Sequence, residues 1–166
     1  MTPVRYEDAM RLALDEAAQA AADGEIPIGA VVLDESGAVL ASARNTRESS
    51  HDPTAHAEVL ALRAAGKARG SWRLQDCTLV VTLEPCPMCA GASVMSRLGR
   101  IVFGAWNDEY GAAGSRWDLV RDRRLNHQVE VIPGVLAEEC GAQVRRFLEE
   151  RRAAGDRRGT IGGEEE

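Results

Sequence analysis

The sequence contains no apolar run long enough to form a membrane-spanning helix. Such a helix needs at least about 18 consecutive apolar residues, and no stretch of the 166-residue chain approaches that length. The N-terminal segment from Met1 to Asp8 has no basic start followed by an apolar run, so it lacks the pattern of a secretory signal. We therefore expect a cytoplasmic protein that does not contact a membrane.

Cysteine is scarce, and the four cysteines are Cys77, Cys86, Cys89 and Cys140. Thiols stay reduced in the cytoplasm, so a close Cys-x-x-Cys pair indicates metal or redox chemistry rather than a disulfide framework. Cys77 begins an apolar strand pattern and Cys140 lies on an apolar helix face, so we expect both to be small buried hydrophobes. Cys86 and Cys89 remain as candidate ligands.

A net positive charge is also absent. The formal net charge is −6 at pH 7, so the whole protein does not have the charge typical of a nucleic-acid-binding domain. The C-terminal third nevertheless concentrates arginines, and a local basic patch can bind a polyanion even on an acidic protein. The alternative is that these arginines only solvate helix faces. They are Arg116, Arg121, Arg123, Arg124, Arg145, Arg146, Arg151 and Arg152.

Internal repeats are absent, and hydrophobic periodicity predicts one α/β domain over residues 1–152. The order of elements predicts a three-layer α/β/α sandwich around a central mixed five-stranded sheet. The predicted strands are a hairpin of residues 28–33 and 38–41, then 78–83, 101–105 and 129–132; the predicted helices are 6–23, 55–67, 85–98 and 137–152, with a short helix at 118–121. Thr54 is the predicted N-cap of the second helix. Residues 153–166 lack apolar residues at regular spacing and are predicted to be a disordered tail.

The side chains suited to chemistry lie in two segments, His56-Ala57-Glu58 and Pro85-Cys86-Pro87-Met88-Cys89. Each segment opens a predicted helix, and the strand at 78–83 separates the two helices. A right-handed crossover then places both helices on one side of the sheet with their N-termini adjacent. The sequence therefore predicts that His56, Cys86 and Cys89 bind one metal ion between the two helix starts.

The residue types favour zinc at an open site. Unpaired N–H groups at a helix N-terminus stabilise the thiolate that zinc requires, and three protein ligands leave the fourth tetrahedral position for water. Glu58 is poorly placed to be a ligand beside His56 but near enough to exchange protons with that water. A closed structural zinc site is an alternative, and it needs a fourth ligand from Cys77, Cys140, His51 or His127. A thioredoxin-like redox pair is another, and it leaves His56 and Glu58 unexplained.

The two segments together match the signature His-x-Glu followed by Pro-Cys-x-x-Cys, which is typical of zinc deaminases that act on nucleobases. Beyond this signature, the sequence resembles the bacterial tRNA-specific adenosine deaminases, which belong to the cytidine deaminase-like zinc superfamily. The similarity extends from about Tyr6 to Arg152 without large insertions. It rests on residues 26–31, 51–58, 82–92, 96–97, 102–105, 111–115, 126–127 and 134–136.

This resemblance implies hydrolytic conversion of the wobble adenosine of a tRNA anticodon loop to inosine, with release of ammonia. It implies one zinc ion per subunit on His56, Cys86 and Cys89, Glu58 as the proton shuttle, and a homodimer whose two subunits both contact the anticodon stem-loop. Asn45 would hydrogen-bond the flipped base, although from the residue alone it could equally belong to a turn. The other residues implied around the substrate are Pro27, Ile28, Val31, Ala57, Pro85, Asn107 and Phe147, with segment 106–124 and the last helix binding the anticodon loop.

Two positions depart from the family pattern. Family members usually carry an acidic residue at the position of Asn107, near the sugar of the flipped nucleotide, and two adjacent aromatics where this chain has Phe147 and Leu148. A neutral amide keeps hydrogen-bonding capacity without the charge repulsion of a carboxylate. We therefore hypothesise that Asn107 relaxes the requirement for ribose, with the neighbouring Asp108 as the residue that would restore it.

Two other functions stay open from the sequence. A small-molecule deaminase of the same superfamily, acting on guanine, cytosine or a pterin-like base, has no need for a basic surface beside its pocket. A zinc-stabilised RNA-binding module without catalysis has no use for a carboxylate such as Glu58 beside an open metal position. The arginine-rich C-terminal third and Glu58 favour the tRNA deaminase over both.

Overall fold

The computed structural model describes residues 6–155 of the chain. The helices are α1 (Tyr6–Ala22), α2 (Arg47–Ser50), α3 (Ala57–Arg69), α4 (Pro87–Met95) and α5 (Ala137–Ala153), with a short 3-10 helix at Leu119–Arg121; the strands are β1 (Gly29–Leu33), β2 (Val39–Arg44), β3 (Thr78–Leu83), β4 (Arg100–Ala105) and β5 (Glu130–Pro133). The predicted elements are present in the predicted order. The short helix α2 is an addition, because it lies in a segment where the sequence pattern predicts neither a helix nor a strand. No helix within residues 6–155 is both long and apolar enough to cross a membrane.

The five strands form one mixed sheet in the order β2-β1-β3-β4-β5. Strand β1 is antiparallel to both β2 and β3, whereas β3, β4 and β5 run parallel to one another. Parallel neighbours require crossover connections, and α4 supplies the one between β3 and β4. The predicted mixed five-stranded sheet is confirmed.

Alternating side chains along the strands build two cores, one on each face of the sheet. Val32, Leu79 and Ile101 pack on the face covered by α3 and α4. Their neighbours Val31 and Val80 point to the other face of the sheet, where they pack in a core that includes side chains of α1 and α5. Helices therefore cover both faces, as the predicted three-layer sandwich requires.

Alanine supplies much of the helix surface that faces the sheet. The buried alanines are Ala9, Ala13, Ala17 and Ala20 on α1 and Ala57, Ala61 and Ala65 on α3. Gly29 on β1 continues this use of small residues, because an added Cβ would lie 2.7 Å from the backbone nitrogen of Ala17 and would also overlap the backbone at Ala13. The small side chains let α1 lie directly against β1.

Two helices begin later than the sequence pattern indicates. Helix α3 begins at Ala57 with His56 as its N-cap residue, so the prediction of a start at Ala55 with a Thr54 cap is wrong. The Thr54 hydroxyl instead donates to Asp52 Oδ1 at 2.7 Å within the preceding turn. Helix α4 begins at Pro87 with Cys86 as its N-cap residue, which suits the preference of proline for the first helical position.

The remaining sequence predictions concern the C-terminus and two cysteines. Helix α5 ends at Ala153, the first residue of the predicted tail. Residues 156–166 lie outside the described part of the chain, so the disordered tail stays a prediction. Cys77 and Cys140 are buried, as predicted.

Candidate active site

The N-termini of α3 and α4 bring the candidate ligands together. His56 and Cys86 are the N-cap residues of these helices, and both have extended backbone conformations. Cys89 lies in the first turn of α4 and is fully buried. Strand β3 leads directly into the turn before α4, so the site forms at the carboxyl end of this strand.

The three ligand atoms have the spacing of a tetrahedral zinc site. His56 Nδ1 lies 3.6 Å from Cys86 Sγ and 3.5 Å from Cys89 Sγ, and all three atoms lie within 4.8 Å of one another. Zinc bonds of about 2.0–2.1 Å to nitrogen and about 2.3 Å to sulfur at tetrahedral angles place the nitrogen about 3.5–3.6 Å from each sulfur. The donor set and its spacing therefore fit a zinc ion.

Residues 6–155 provide no fourth protein ligand at this cluster. Within residues 6–155, the only cluster of three or more His, Cys, Asp or Glu side chains suited to a metal is His56, Cys86 and Cys89. His127 is instead bonded through Nε2 to the carbonyl oxygen of Leu98 at 2.6 Å. The described residues thus give no support to the closed structural zinc site.

Electrostatics at the cluster favour a thiolate. Hydrogen bonds from the Cys89 thiol and from His56 lower the pKa of Cys86 to about 4. The same contact with Cys86, together with burial, raises the pKa of Cys89, because the Cys89 thiol keeps its proton to donate to the Cys86 sulfur. The hydrogen bond to Cys86 also raises the pKa of His56. A bound divalent cation would reverse the shift at Cys89, because coordination deprotonates a thiol.

Glu58 is a buried carboxyl group beside the cluster. It is 3% exposed, in the first turn of α3, and burial raises its pKa to about 7. Its Oε2 atom is buried and has no hydrogen-bond partner. A carboxyl group that titrates near neutrality, with one oxygen uncommitted, is suited to carrying protons. This unpartnered oxygen is also the group that a water at the fourth zinc position would satisfy.

A cleft of about 390 Å³ opens above the cluster. We call it the base cleft, and its lining residues are Ile26, Ile28, Asn45, Arg47, His56, Glu58, Leu83, Glu84, Cys86, Pro87, Met88, Asn107 and Tyr110. The structure thus brings three of the sequence-predicted substrate residues, Ile28, Asn45 and Asn107, to the same cleft as the candidate ligands. The Oδ1 atom of Asn45 accepts from the backbone nitrogen of Arg47, so part of its side chain is committed to the local turn.

Other predicted substrate residues lie elsewhere. Ala57 is fully buried, and Pro85 is buried with its carbonyl oxygen accepting from the backbone nitrogen of Ala112, so neither lines the base cleft. Val31 points to the other face of the sheet, into the core that α1 covers, because side chains alternate between the two faces along β1. Phe147 is 7% exposed and lines a separate cavity beside α1, with the Arg151 guanidinium 4.9 Å from its ring centroid.

Several cleft residues were not foreseen from the sequence. Tyr110 and Arg47 line the base cleft but belong to segments outside the predicted helices and strands, and Met88 lines it from between the two candidate cysteine ligands, where no role was predicted for it. Glu84 is 1% exposed. A charged residue directly after a strand that is apolar on both faces was the available signal that Glu84 is buried with specific partners.

The arginine-rich C-terminal third is partly neutralised by neighbouring acids. Arg121, Arg124 and Arg145 form ion pairs with Asp118, Asp122 and Glu138. None of the ion pairs formed within residues 6–155 involves Arg116, Arg123 or Arg146. Some of these arginines are therefore ion-paired, and binding of a polyanion by the others stays a prediction.

Comparison with known proteins agrees with the fold and the site. Residues 3–105 match the family model of the cytidine and deoxycytidylate deaminase zinc-binding region, which defines the class of the chain as a zinc-binding deaminase. The tRNA-specific adenosine deaminase of Bacillus subtilis (strain 168) is 49% identical over 143 residues, which cover 86% of this chain and 88% of that protein. The chain belongs to the tRNA-specific adenosine deaminase family.

Two solved structures extend the comparison. A structure from a study of A-to-I editing by tRNA:A34 deaminases at the wobble position has a TM-score of 0.78 and 38% identity, covering 81% of this chain and 96% of that chain. The guanine deaminase from Nitrosomonas europaea has a TM-score of 0.74 and 26% identity, covering 85% and 83%. The fold is thus shared with a small-molecule deaminase, and the family resemblance predicted from the sequence is confirmed.

The ligand set generates a prediction about zinc content. Cys86→Ser replaces a thiolate with a weaker ligand, so this variant should lose most of its zinc on dialysis against a chelator under conditions where the wild type keeps it. Cys140→Ala is the matched control, because Cys140 is a buried cysteine away from the cluster. Metal analysis of the dialysed proteins provides the measurement. Equal zinc retention by Cys86→Ser and the wild type would show that Cys86 is not a ligand.

Proposed function

We propose that this protein hydrolytically deaminates the wobble adenosine of a tRNA anticodon loop, which gives inosine and ammonia. The observation that carries the proposal is the buried Glu58 carboxyl, whose Oε2 atom has no hydrogen-bond partner, beside an open His/Cys/Cys group in a cleft. The choice of adenosine in tRNA follows from the 49% identity to a tRNA-specific adenosine deaminase over most of the chain. A tRNA substrate also agrees with our expectation of a cytoplasmic protein.

We propose that His56, Cys86 and Cys89 would hold one zinc ion per chain. When bound, zinc lowers the pKa of a water molecule enough for it to lose a proton near pH 7. The two cysteines and the histidine leave the side toward Glu58 and the base cleft without a protein ligand. This arrangement is what separates a catalytic metal site from a structural one.

Glu58 carries the protons of the reaction. Its Oε2 atom accepts a proton from the attacking water, whose oxygen forms a bond to C6 of adenine. Glu58 donates this proton to N1, then takes the second proton from the hydroxyl group now on C6 and donates it to the departing nitrogen. The C6–N6 bond breaks as the C6 carbonyl forms, and ammonia leaves. The pKa of about 7 at Glu58 suits both directions of transfer at neutral pH.

The base cleft supplies orientation for the flipped base. Ile28 offers an apolar surface, and Asn45 offers an amide whose NH2 group is free of the turn that engages Oδ1. Flipping is least costly from a loop that is already unpaired. A short cleft open to solvent is therefore better matched to an anticodon loop than to a base-paired helix.

The substrate proposal is tested by nucleoside analysis of an anticodon stem-loop that carries adenosine at the wobble position. We expect inosine at that position, with no comparable turnover of free adenine, guanine or cytosine. Glu58→Ala should lower kcat by about 10²-fold or more, because general acid–base catalysis is lost, while zinc content and Tm stay near wild type. Turnover of a free base without turnover of the stem-loop would favour the small-molecule deaminase. Zinc loss in Glu58→Ala would contradict the assigned proton role.

We also propose that the protein is a homodimer through the face formed by the ends of α3 and α4. Trp72 is 58% exposed and lines a mostly apolar groove of about 650 Å³ on this face, with Leu62 and Leu74. Met95, at the end of α4, is 56% exposed. Apolar surface of this kind is typical of protein–protein contacts.

Sedimentation equilibrium tests the dimer. The wild type should have twice the mass of one chain, and Trp72→Arg should shift the population to monomer because it places a charge in an apolar contact. Leu12→Arg is the matched control, since Leu12 is an exposed hydrophobe on α1, in the opposite helix layer. A monomeric wild type, or a dimer that only Leu12→Arg disrupts, would contradict the proposed face.

The hypothesis for Asn107 is tested by comparing RNA with DNA. The Oδ1 atom of Asn107 accepts from the backbone nitrogen of Tyr110, a contact that a carboxylate can equally make, so Asn107→Asp should keep the local fold. We expect measurable but weaker deamination of a DNA version of the stem-loop by the wild type. Asn107→Asp should lower kcat/KM for DNA more than for RNA. An unchanged RNA-to-DNA ratio would remove Asn107 from the residues that recognise the sugar.

A further inference from the structure

Glu84 is a buried carboxylate whose partners are backbone N–H groups of one loop. Its Oε2 atom accepts from the backbone nitrogen of Asn107 at 3.0 Å. Its Oε1 atom accepts from the backbone nitrogens of Ala113 at 3.1 Å and Ser115 at 3.0 Å. These three donors lie in residues 106–115, which we call the cleft loop. One side chain therefore bonds to both ends of this loop.

The hydrogen bonds from these backbone N–H groups offset the free-energy cost of burying the charge of Glu84. Glu84 is 1% exposed, and none of the ion pairs formed within residues 6–155 involves it. A buried charge is costly unless it is hydrogen-bonded, and bonds from N–H groups to a carboxylate are stronger than neutral ones. The carboxylate and the cleft loop thus depend on each other, because moving the loop would leave the charge without donors.

The cleft loop is fitted closely around this carboxylate. An added Cβ at Gly111 would overlap the Glu84 carboxylate and the Ser115 hydroxyl. The Ser115 hydroxyl donates to the carbonyl oxygen of Asn107 at 2.8 Å, which closes the loop on itself. The backbone nitrogen of Ala112 donates to the carbonyl oxygen of Pro85 at 2.8 Å. The cleft loop is therefore bonded to the two residues that precede the ligand Cys86.

This loop forms one wall of the base cleft through Asn107 and Tyr110. A second segment of the cleft lining has a similar arrangement, in which Glu25, 2% exposed, accepts from the backbone nitrogens of Glu48 at 3.2 Å and Ser49 at 2.7 Å. Those amides belong to α2, whose first residue, Arg47, lines the cleft. Two buried carboxylates that form no ion pair within residues 6–155 thus bond to two of the segments that line the cleft.

We propose that Glu84 is a positioning residue for the substrate, which sets the distance between the cleft loop and the ligand turn at Cys86. The proposal rests on the proposed function, because the wall it positions is the one expected to contact the flipped nucleotide. Glu84 acts through the backbone of Asn107, Ala113 and Ser115 and takes no part in proton transfer. Its loss should therefore weaken substrate binding without removing the zinc or the proton shuttle.

The experiment uses Glu84→Gln in the full-length, zinc-loaded protein. Glutamine keeps the size of the side chain but replaces one acceptor oxygen with an NH2 group that cannot accept a hydrogen bond. We expect KM for the anticodon stem-loop to rise by about tenfold or more, since a hydrogen bond to a charged group is worth about that factor. We expect kcat at saturation to stay within about threefold and zinc content to be unchanged.

A second variant disturbs the contact between Glu84 and the cleft loop by a substitution in the loop itself. Gly111→Ala leaves the charge of Glu84 in place but pushes the carboxylate and the loop apart, so it should raise KM in the same way. Glu35→Gln is the matched control for charge, because Glu35 is an exposed carboxylate in the turn between β1 and β2; its KM should be that of the wild type. If Glu84→Gln does not fold, Gly111→Ala decides the outcome.

Hydrogen–deuterium exchange of the substrate-free proteins gives a readout independent of activity. The amides of residues 106–116 should exchange faster in Glu84→Gln and Gly111→Ala than in the wild type and Glu35→Gln. Unchanged exchange, or an unchanged KM with kcat reduced in proportion to the folded fraction, would overturn the positioning role. If the wild type forms no inosine, the proposed function fails, whereas the exchange result still decides whether Glu84 fixes the loop.

Discussion

The convergence of two helix N-termini at the carboxyl end of β3 is the constraint on which the site depends. His56 and Cys86 are both N-cap residues, so the backbone that starts α3 and α4 also fixes two of the three candidate ligands. The shared core beneath them, with Ala61 and Leu62 from α3 and Val94 from α4, fixes the distance between the helices. Packing beneath the candidate ligands thus determines the 3.5–3.6 Å spacing of nitrogen and sulfur.

The structure brings together the candidate site residues whose identity and spacing carry the chemistry. His56, Glu58, Cys86 and Cys89 could be found because each opens a predicted helix and because a strand of known length separates them. The sheet could be predicted because β1, β3 and β4 are apolar runs, and β1 and β2 are joined by a short turn. These signals are local in the sequence. The right-handed crossover rule then predicts that the N-termini of α3 and α4 lie next to each other on one side of the sheet.

Contacts that depend on long-range geometry were missed. Alternate residues of a strand point to opposite faces of the sheet, so the position of Val31 along β1 decides whether its side chain faces the base cleft or α1. The residue type alone does not reveal this direction. Thr54 has the chemistry of a cap, but Asp52 competes for its hydroxyl. The partners of Glu84 are backbone groups 23 to 31 residues away, and backbone donors leave no signature in side-chain types. For the same reason, a count of arginines could not separate the ion-paired Arg121 from Arg123, which forms no ion pair within residues 6–155.

The alanine-rich faces of α1 and α3 have a consequence for how this fold can change. Where Ala13 and Ala17 lie against Gly29, the layers are separated by backbone and methyl groups alone, so a larger side chain would have to move a whole helix. Such layers resist gradual variation in side-chain size. Diversity among proteins of this architecture should therefore accumulate in the loops at the strand ends, where new recognition surfaces can form without any adjustment of the interior.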